Sequence, residues 1–232
     1  MPRLNLLPWV SLIAGALTLS ACGGATTASS TSQATTSARS AEAAPASPQA
    51  LARQLNLRAA DLPAGFRAQG AASEGEQGGP FASDGCAAPH AEALAIASSA
   101  RYADAGTGET VASGVLVTGE ASDAETQLFA SIGAHAEACL REHPAGGLQD
   151  VAVAKLASPV HGLPIYGLRA SGCAAGAAGC SAADPDEIQD HVFFALGRSV
   201  LALELSAPAA AFPKTLERRL VEALYQRASS AQ

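Results

Sequence analysis

Residues 192–205 constrain the fold more than any other stretch of this chain. Val192-Phe193-Phe194-Ala195-Leu196 and Val200 to Leu205 are strongly apolar arms separated by Gly197-Arg198, the spacing of a hairpin with a two-residue turn. So apolar a pair is expected at the centre of a sheet. A second hairpin is expected where Ile96 to Ala103 and Glu109 to Thr118 flank the turn-forming Asp104-Ala105-Gly106-Thr107-Gly108, because Val111, Val115 and Val117 then share one face. Asp150 to Leu156 and Ile165 to Ala170 read as further short strands.

Helices are expected at three places. Ser47-Pro48 is a plausible N-cap with proline in the first turn, after which Leu51 and Leu55 share a face. Ser122 to Glu125 matches a capping box, and Leu128, Ile132, Ala136 and Leu140 repeat at helical spacing until Pro144 and Gly146-Gly147 stop the helix. Pro213 starts the last helix, with Leu216, Leu220 and Leu224 on its core face and Glu217, Arg218, Glu222 and Arg227 on the other. Asp61-Leu62-Pro63-Ala64-Gly65-Phe66 reads as a turn that returns Phe66 to the core. Gly70 to Gly79 reads as an exposed loop.

The N-terminal end sets the compartment. Arg3, the apolar run Leu6 to Leu19 and then Leu19-Ser20-Ala21-Cys22 resemble a bacterial lipoprotein signal peptide with its lipobox. The run is too short for a convincing membrane-spanning helix. The resemblance implies a signal peptide at residues 1–21, cleavage before Cys22, lipidation of its thiol and membrane attachment through that lipid. Residues 22–48 are Ala, Ser, Thr, Gln and Pro with almost no large apolar side chain, a tether whose reach is about 25 to 30 Å as a flexible coil. Residues 49–228 then form one domain with a single core.

Beyond Cys22 four cysteines remain, Cys86, Cys139, Cys173 and Cys180, and an even number outside the cytoplasm favours disulfides over metal thiolates. Three pairings exist on paper. Cys173 and Cys180 bracket the small-residue loop Ala174 to Gly179 and are the easiest to close, which leaves Cys86 with Cys139. Loop entropy assigns the short bridge about 2.5 kcal/mol and the long one about 4 kcal/mol. With a net charge of −7 and acidic and basic residues interspersed, a nucleic-acid partner is not expected.

Several of these segments, taken together and in this order, form a set: Asp61-Leu62-Pro63-Ala64-Gly65-Phe66, Arg101-Tyr102 before the first hairpin, Ala138-Cys139-Leu140 at a helix end, Gly167-Leu168-Arg169 in a strand, Gly197-Arg198 between apolar strands, and a final helix ending at Arg227. This set resembles the sensor-domain lipoproteins of actinobacteria and other high-GC bacteria, a group similar to the extracellular sensor domain of mycobacterial receptor serine/threonine kinases. The resemblance implies a PsbP-like α+β fold, a twisted antiparallel sheet layered with helices as an α/β/α sandwich and braced by disulfides. It also implies binding of an unidentified small molecule or envelope protein.

Other chemistry is weakly signalled. His135, Cys139 and His143 fall on one helical stripe at zinc-like spacing, but Cys139 is wanted for a disulfide, so no metal site is assigned. Asp184, Asp186, Glu187 and Asp190 lack the glycine and terminal glutamate of a calcium loop and read as a solvated turn. Gly-x-Ser-x-Gly and His-Glu-x-x-His are both absent, so no catalytic residue is assigned, nor any cofactor. The expected function is a monomeric, lipid-anchored ligand-binding or sensing module of the cell envelope, with an adaptor for another envelope protein second and a cryptic hydrolase third. Its ligand is expected at a sheet edge between the Gly70 to Gly79 and Cys173 to Asp190 loops, with a weakly negative rim suited to a neutral or cationic envelope component.

Overall fold

The computed structural model describes residues 47–75 and 93–231. The Ser47 hydroxyl caps α1 (Pro48–Leu55) by accepting from the Ala50 amide at 3.2 Å, and Pro48 fills the first turn, where a missing N–H is harmless. Strands β1 (Arg67–Gln69), β2 (Ser73–Glu74), β3 (Ala93–Ser98), β4 (Arg101–Asp104) and β5 (Glu109–Thr118) follow. Next come α2 (Ala121–Ile132) and α3 (Ala134–Glu142), then β6 (Gln149–Leu156), β7 (Tyr166–Cys173), β8 (Glu187–Leu196) and β9 (Ser199–Pro208), and finally α4 (Lys214–Ser229).

All strand pairs are antiparallel, and the order β1-β4-β5-β9-β8-β7-β6 puts β9 in the middle of the sheet. β3 pairs the half of β5 that β4 leaves free, and β2 pairs β3. The period of two along each strand then sorts the apolar side chains into two layers. On one face Val115, Val117, Val192, Phe194, Leu201 and Leu203 pack with Leu55 of α1 and Leu216, Leu220 and Leu224 of α4. On the other, Leu116, Phe193, Val200 and Ala202 pack under Ala124 and Leu128 of α2. The molecule is therefore an α+β sandwich with helices on both faces of one antiparallel sheet.

The structure departs from the sequence expectations where tertiary context competes with local pattern. The single helix expected from Ser122 is two, because Gly133 ends α2 and begins α3 with extended backbone (φ −71°, ψ 178°). The Ser122–Glu125 capping box does not form; Glu120 is the N-cap and no side chain caps that end. The long arm expected from Ile96 to Ala103 is broken at Ser99-Ala100, where the Ser99 hydroxyl accepts from the Ser113 amide at 2.9 Å in place of a ladder bond. Part of the expected Gly70 to Gly79 loop is strand β2; residues 76–79 lie outside the described residues. The acidic segment expected as a solvated turn supplies the first half of β8, and within it Asp190 is fully buried. Glu217, expected on the outer face of the last helix, is only 4% exposed.

Candidate functional site

Helix α2 covers only half of its sheet face. Around Leu116, Phe193 and Val200 that face is apolar, but farther along the same strands the side chains on the same side become Glu187, Gln189, Glu204 and Ser206. Cross-strand register sets them side by side: Gln189 faces Ser206, and His191 faces Glu204, which in turn faces Ala112 on β5. The result is a cleft of about 610 Å³ floored by β5, β9 and β8.

Its polar groups are held firmly. Arg101 reaches in from β4 and its Nη1 lies 2.8 Å from Glu204 Oε1; the arginine is 43% exposed and the glutamate 6%. Glu187 Oε1 accepts from the Ser206 hydroxyl at 2.5 Å and from Gln189 Nε2 at 3.3 Å. The rim comes from Asp186, whose Oδ1 accepts from the Ala174 amide at 2.8 Å and so fastens the start of the Cys173–Cys180 loop beside the cleft. On the opposite rim Gly146 adopts φ +70°, and a Cβ there would stand 3.1 Å from Gln189 Nε2, so the close approach of backbone to floor depends on glycine.

Beneath this surface His191 is 2% exposed and its Nε2 has no hydrogen-bond partner. Burial holds its pKa below the ordinary value against the opposing pull of Glu204 and Asp190, so the ring is neutral at physiological pH. The Ser206 hydroxyl is bound to Glu187 and not to a histidine, which leaves it without the base an acyl-transfer serine requires. With carboxylates at Asp186, Glu187 and Glu204 and one cation already engaged with Glu204, the cleft offers mainly acceptors. Ammonium groups and hydroxyls satisfy such a lining better than anions do.

The residues singled out from sequence fall as follows. Cys173 and Cys180 form a disulfide with Cα atoms 5.7 Å apart. Cys139 is buried and also disulfide-bonded; its expected partner Cys86, and the lipidation site Cys22, lie outside the described residues. A bonded Cys139 is not a thiolate ligand, and among the described residues no three His, Cys, Asp or Glu side chains gather at metal-holding distance. Asp184, Asp186, Glu187 and Asp190 do not converge. Asp184 pairs by backbone with Ser181, Asp186 and Glu187 serve the cleft, and Asp190 points to the other face, where Arg169 binds it.

This cleft does not lie at the sheet edge where a ligand is expected from the sequence but on the face of the central strands, because α2 stops short of their far ends. The Cys173 to Asp190 segment does contribute Ala174, Asp186, Glu187 and Gln189 to it, whereas no described residue of the Gly70 to Gly79 loop lines it. Sequence reasoning also missed Arg101, Glu204 and Ser206. The available signal was the polar residues at alternate positions in the second arm of an otherwise apolar hairpin.

No protein-family model matches the sequence, and no curated protein matches it. Among solved structures the chain is similar to the crystal structure of the extracellular domain of PknH from Mycobacterium tuberculosis, at 11% sequence identity and a TM-score of 0.49, over 75% of this chain and 95% of that one.

Proposed function

We propose that this protein is a lipid-anchored module of the cell envelope, tethered through Cys22 outside the cytoplasm, that binds a neutral or cationic envelope component in the cleft on its sheet face and performs no catalysis. The observation that carries the reading is the set of pre-positioned acceptors at half-buried Glu187 and buried Glu204 and Ser206 in an otherwise open concavity of about 610 Å³. The Cys173–Cys180 disulfide supports an oxidising compartment. The test is native mass spectrometry of the full-length protein purified from its own host. A co-purifying mass bearing an amine or several hydroxyls, retained by the parent and lost in Glu187→Ala, supports the reading; a bare protein, or a mass unaffected by Glu187→Ala, sinks it.

A second reading, docking of another envelope protein, is favoured by one feature. Phe129 on α2 and Tyr166 on β7 stand 60% and 40% exposed with ring centroids 6.3 Å apart, an apolar pair in contact with water. Loss of a cross-linked partner on Phe129→Ser, with the cleft ligand unaffected, would favour it.

A further inference from the structure

The acceptor-lined cleft is not uniform across its width. Arg101 enters it from the β4 side and Glu187 from the β8 side, and both are anchored to the strand between, β9. The Arg101 guanidinium sits on Glu204, Nη1 to Oε1 at 2.8 Å, and Glu187 Oε1 accepts from the Ser206 hydroxyl at 2.5 Å. Glu204 and Ser206 are alternate residues of one strand, so their side chains leave the same face about 7 Å apart. A cation and a carboxylate are therefore mounted side by side at about that separation.

Each keeps capacity for a ligand. Among the described residues only Nη1 of Arg101 is engaged, which leaves its Nε and Nη2 to donate. Glu187 has no cation beside it among the described residues, and its contacts to Ser206 and Gln189 both fall on Oε1, which leaves Oε2 to accept. An amine alone answers Glu187 and leaves the guanidinium unused, while an anion alone is opposed by Glu187 and Glu204. A zwitterion answers both. In an α-amino acid the ammonium nitrogen and the carboxylate carbon are about 2.5 Å apart. A charged hydrogen bond of about 2.8 Å at each end brings the span to about 8 Å, or about 7 Å when bent. Gly108, Gly146 and Ala174 line the remainder of the cavity, and such small residues leave room there for a ligand side chain.

We infer that the cleft binds a free α-amino acid as its zwitterion, with the carboxylate on Arg101 and the ammonium on Glu187. The inference rests on the cleft being the ligand site and narrows the ligand to one class. Arg101 and Glu187 are the residues that decide specificity, since each recognises one end of the head group.

Isothermal titration calorimetry of the full-length protein in detergent at pH 6.5 tests it with glycine, both enantiomers of alanine, alanine methyl ester, which keeps only the ammonium, and N-acetylalanine, which keeps only the carboxylate. Expected are saturable heats for at least one of the three amino acids and at least ten-fold weaker binding of the ester and of the N-acetyl compound. In Glu187→Gln, which keeps the shape of the side chain, the preference for alanine over N-acetylalanine should vanish. In the Arg101→Gln, Glu204→Gln double variant, which strands no buried charge, the preference for alanine over its methyl ester should vanish instead. The ester binding as tightly as alanine, or either preference surviving its variant, overturns the zwitterion. Blank heats from all three amino acids overturn it too, and native mass spectrometry then separates the two claims: a co-purifying mass lost in Glu187→Ala leaves the cleft as a ligand site with another ligand, and a bare protein removes both.

Discussion

Glu217 carries the most consequential protonation in the molecule. Burial, the Asp190 charge and their shared hydrogen bond raise its pKa from 4.5 to about 8, with Arg169 and Lys214 pulling the other way. The folded chain therefore holds a proton that the unfolded chain gives up near pH 4.5. Stability from this group is complete below about pH 4.5, declines as pH rises, and levels off above about pH 8. In Glu217→Gln the thermal midpoint should lose that decline, so the difference between variant and parent grows by several degrees from pH 5 to pH 8. Differential scanning calorimetry at four pH values reads it, and an unchanged difference contradicts the raised pKa of Glu217. His191, whose pKa is lowered, contributes the opposite slope, but it is common to both proteins and cancels. Arg169 answers for the other half of the pair: Arg169→Met leaves Asp190, with 0% of its side chain exposed, without its guanidinium, and chemical denaturation should show a loss of about 3 to 5 kcal/mol.

Among the elements, the β8–β9 hairpin and the Cys173–Cys180 loop behave differently under substitution. Gly197 turns the hairpin with φ +50°, a conformation that costs a residue with a Cβ about 1 to 2 kcal/mol. Gly197→Ala should lower the thermal midpoint by about 2 to 4 °C for each kcal/mol lost in a chain of this size, with the sheet otherwise unchanged. The disulfide closes a short loop across a sequence separation of 7, worth about 2.5 kcal/mol of unfolded-state entropy. Because Asp186 still holds the Ala174 amide, Cys173→Ser with Cys180→Ser should fold with that loss and keep ligand in the acceptor-lined cleft. A variant that fails to fold would show the loop to be part of the core.

Across the whole molecule the two ends of the described domain are fastened by one arginine. Arg227 on α4 donates through Nη1 to the Asn56 carbonyl and through Nη2 to Asp61 Oδ1, both at 2.6 Å, across 171 and 166 residues. Its side chain is 17% exposed and that of Asp61 14%, so the pair is partly shielded from solvent. Arg227→Ala should cost about 2 kcal/mol, near the upper range for charged hydrogen bonds. A double-mutant cycle with Asp61→Ala should return a coupling of about 1 kcal/mol or more, and additivity of the two losses would contradict the staple. The buried polar group beside it, where the Ser113 hydroxyl joins Asn56 Oδ1 and the Leu57 amide, ties the same N-terminal segment to β5.

Local pattern determined much of this architecture. The apolar arms around Gly197-Arg198, the leucine stripe of α4 and the Ser47-Pro48 cap are visible as sequence because each depends on near neighbours: a period of two, a period of 3.6, a side chain reaching three residues ahead. What only the tertiary structure decided lies wherever a residue's partner is far along the chain. Asp190 looks like one acid among several until β7 brings Arg169 opposite it. Glu217 and Arg227 look like surface charges on an amphipathic helix until the sheet and the Asp61 turn close over them. Glu204 and Ser206 interrupt an apolar strand for no local reason, and become the floor of the cleft because α2 ends before it reaches them. A helix break at Gly133 and the reach of α2 depend on the packing of whole elements, and packing has no period to be read in the order of the residues.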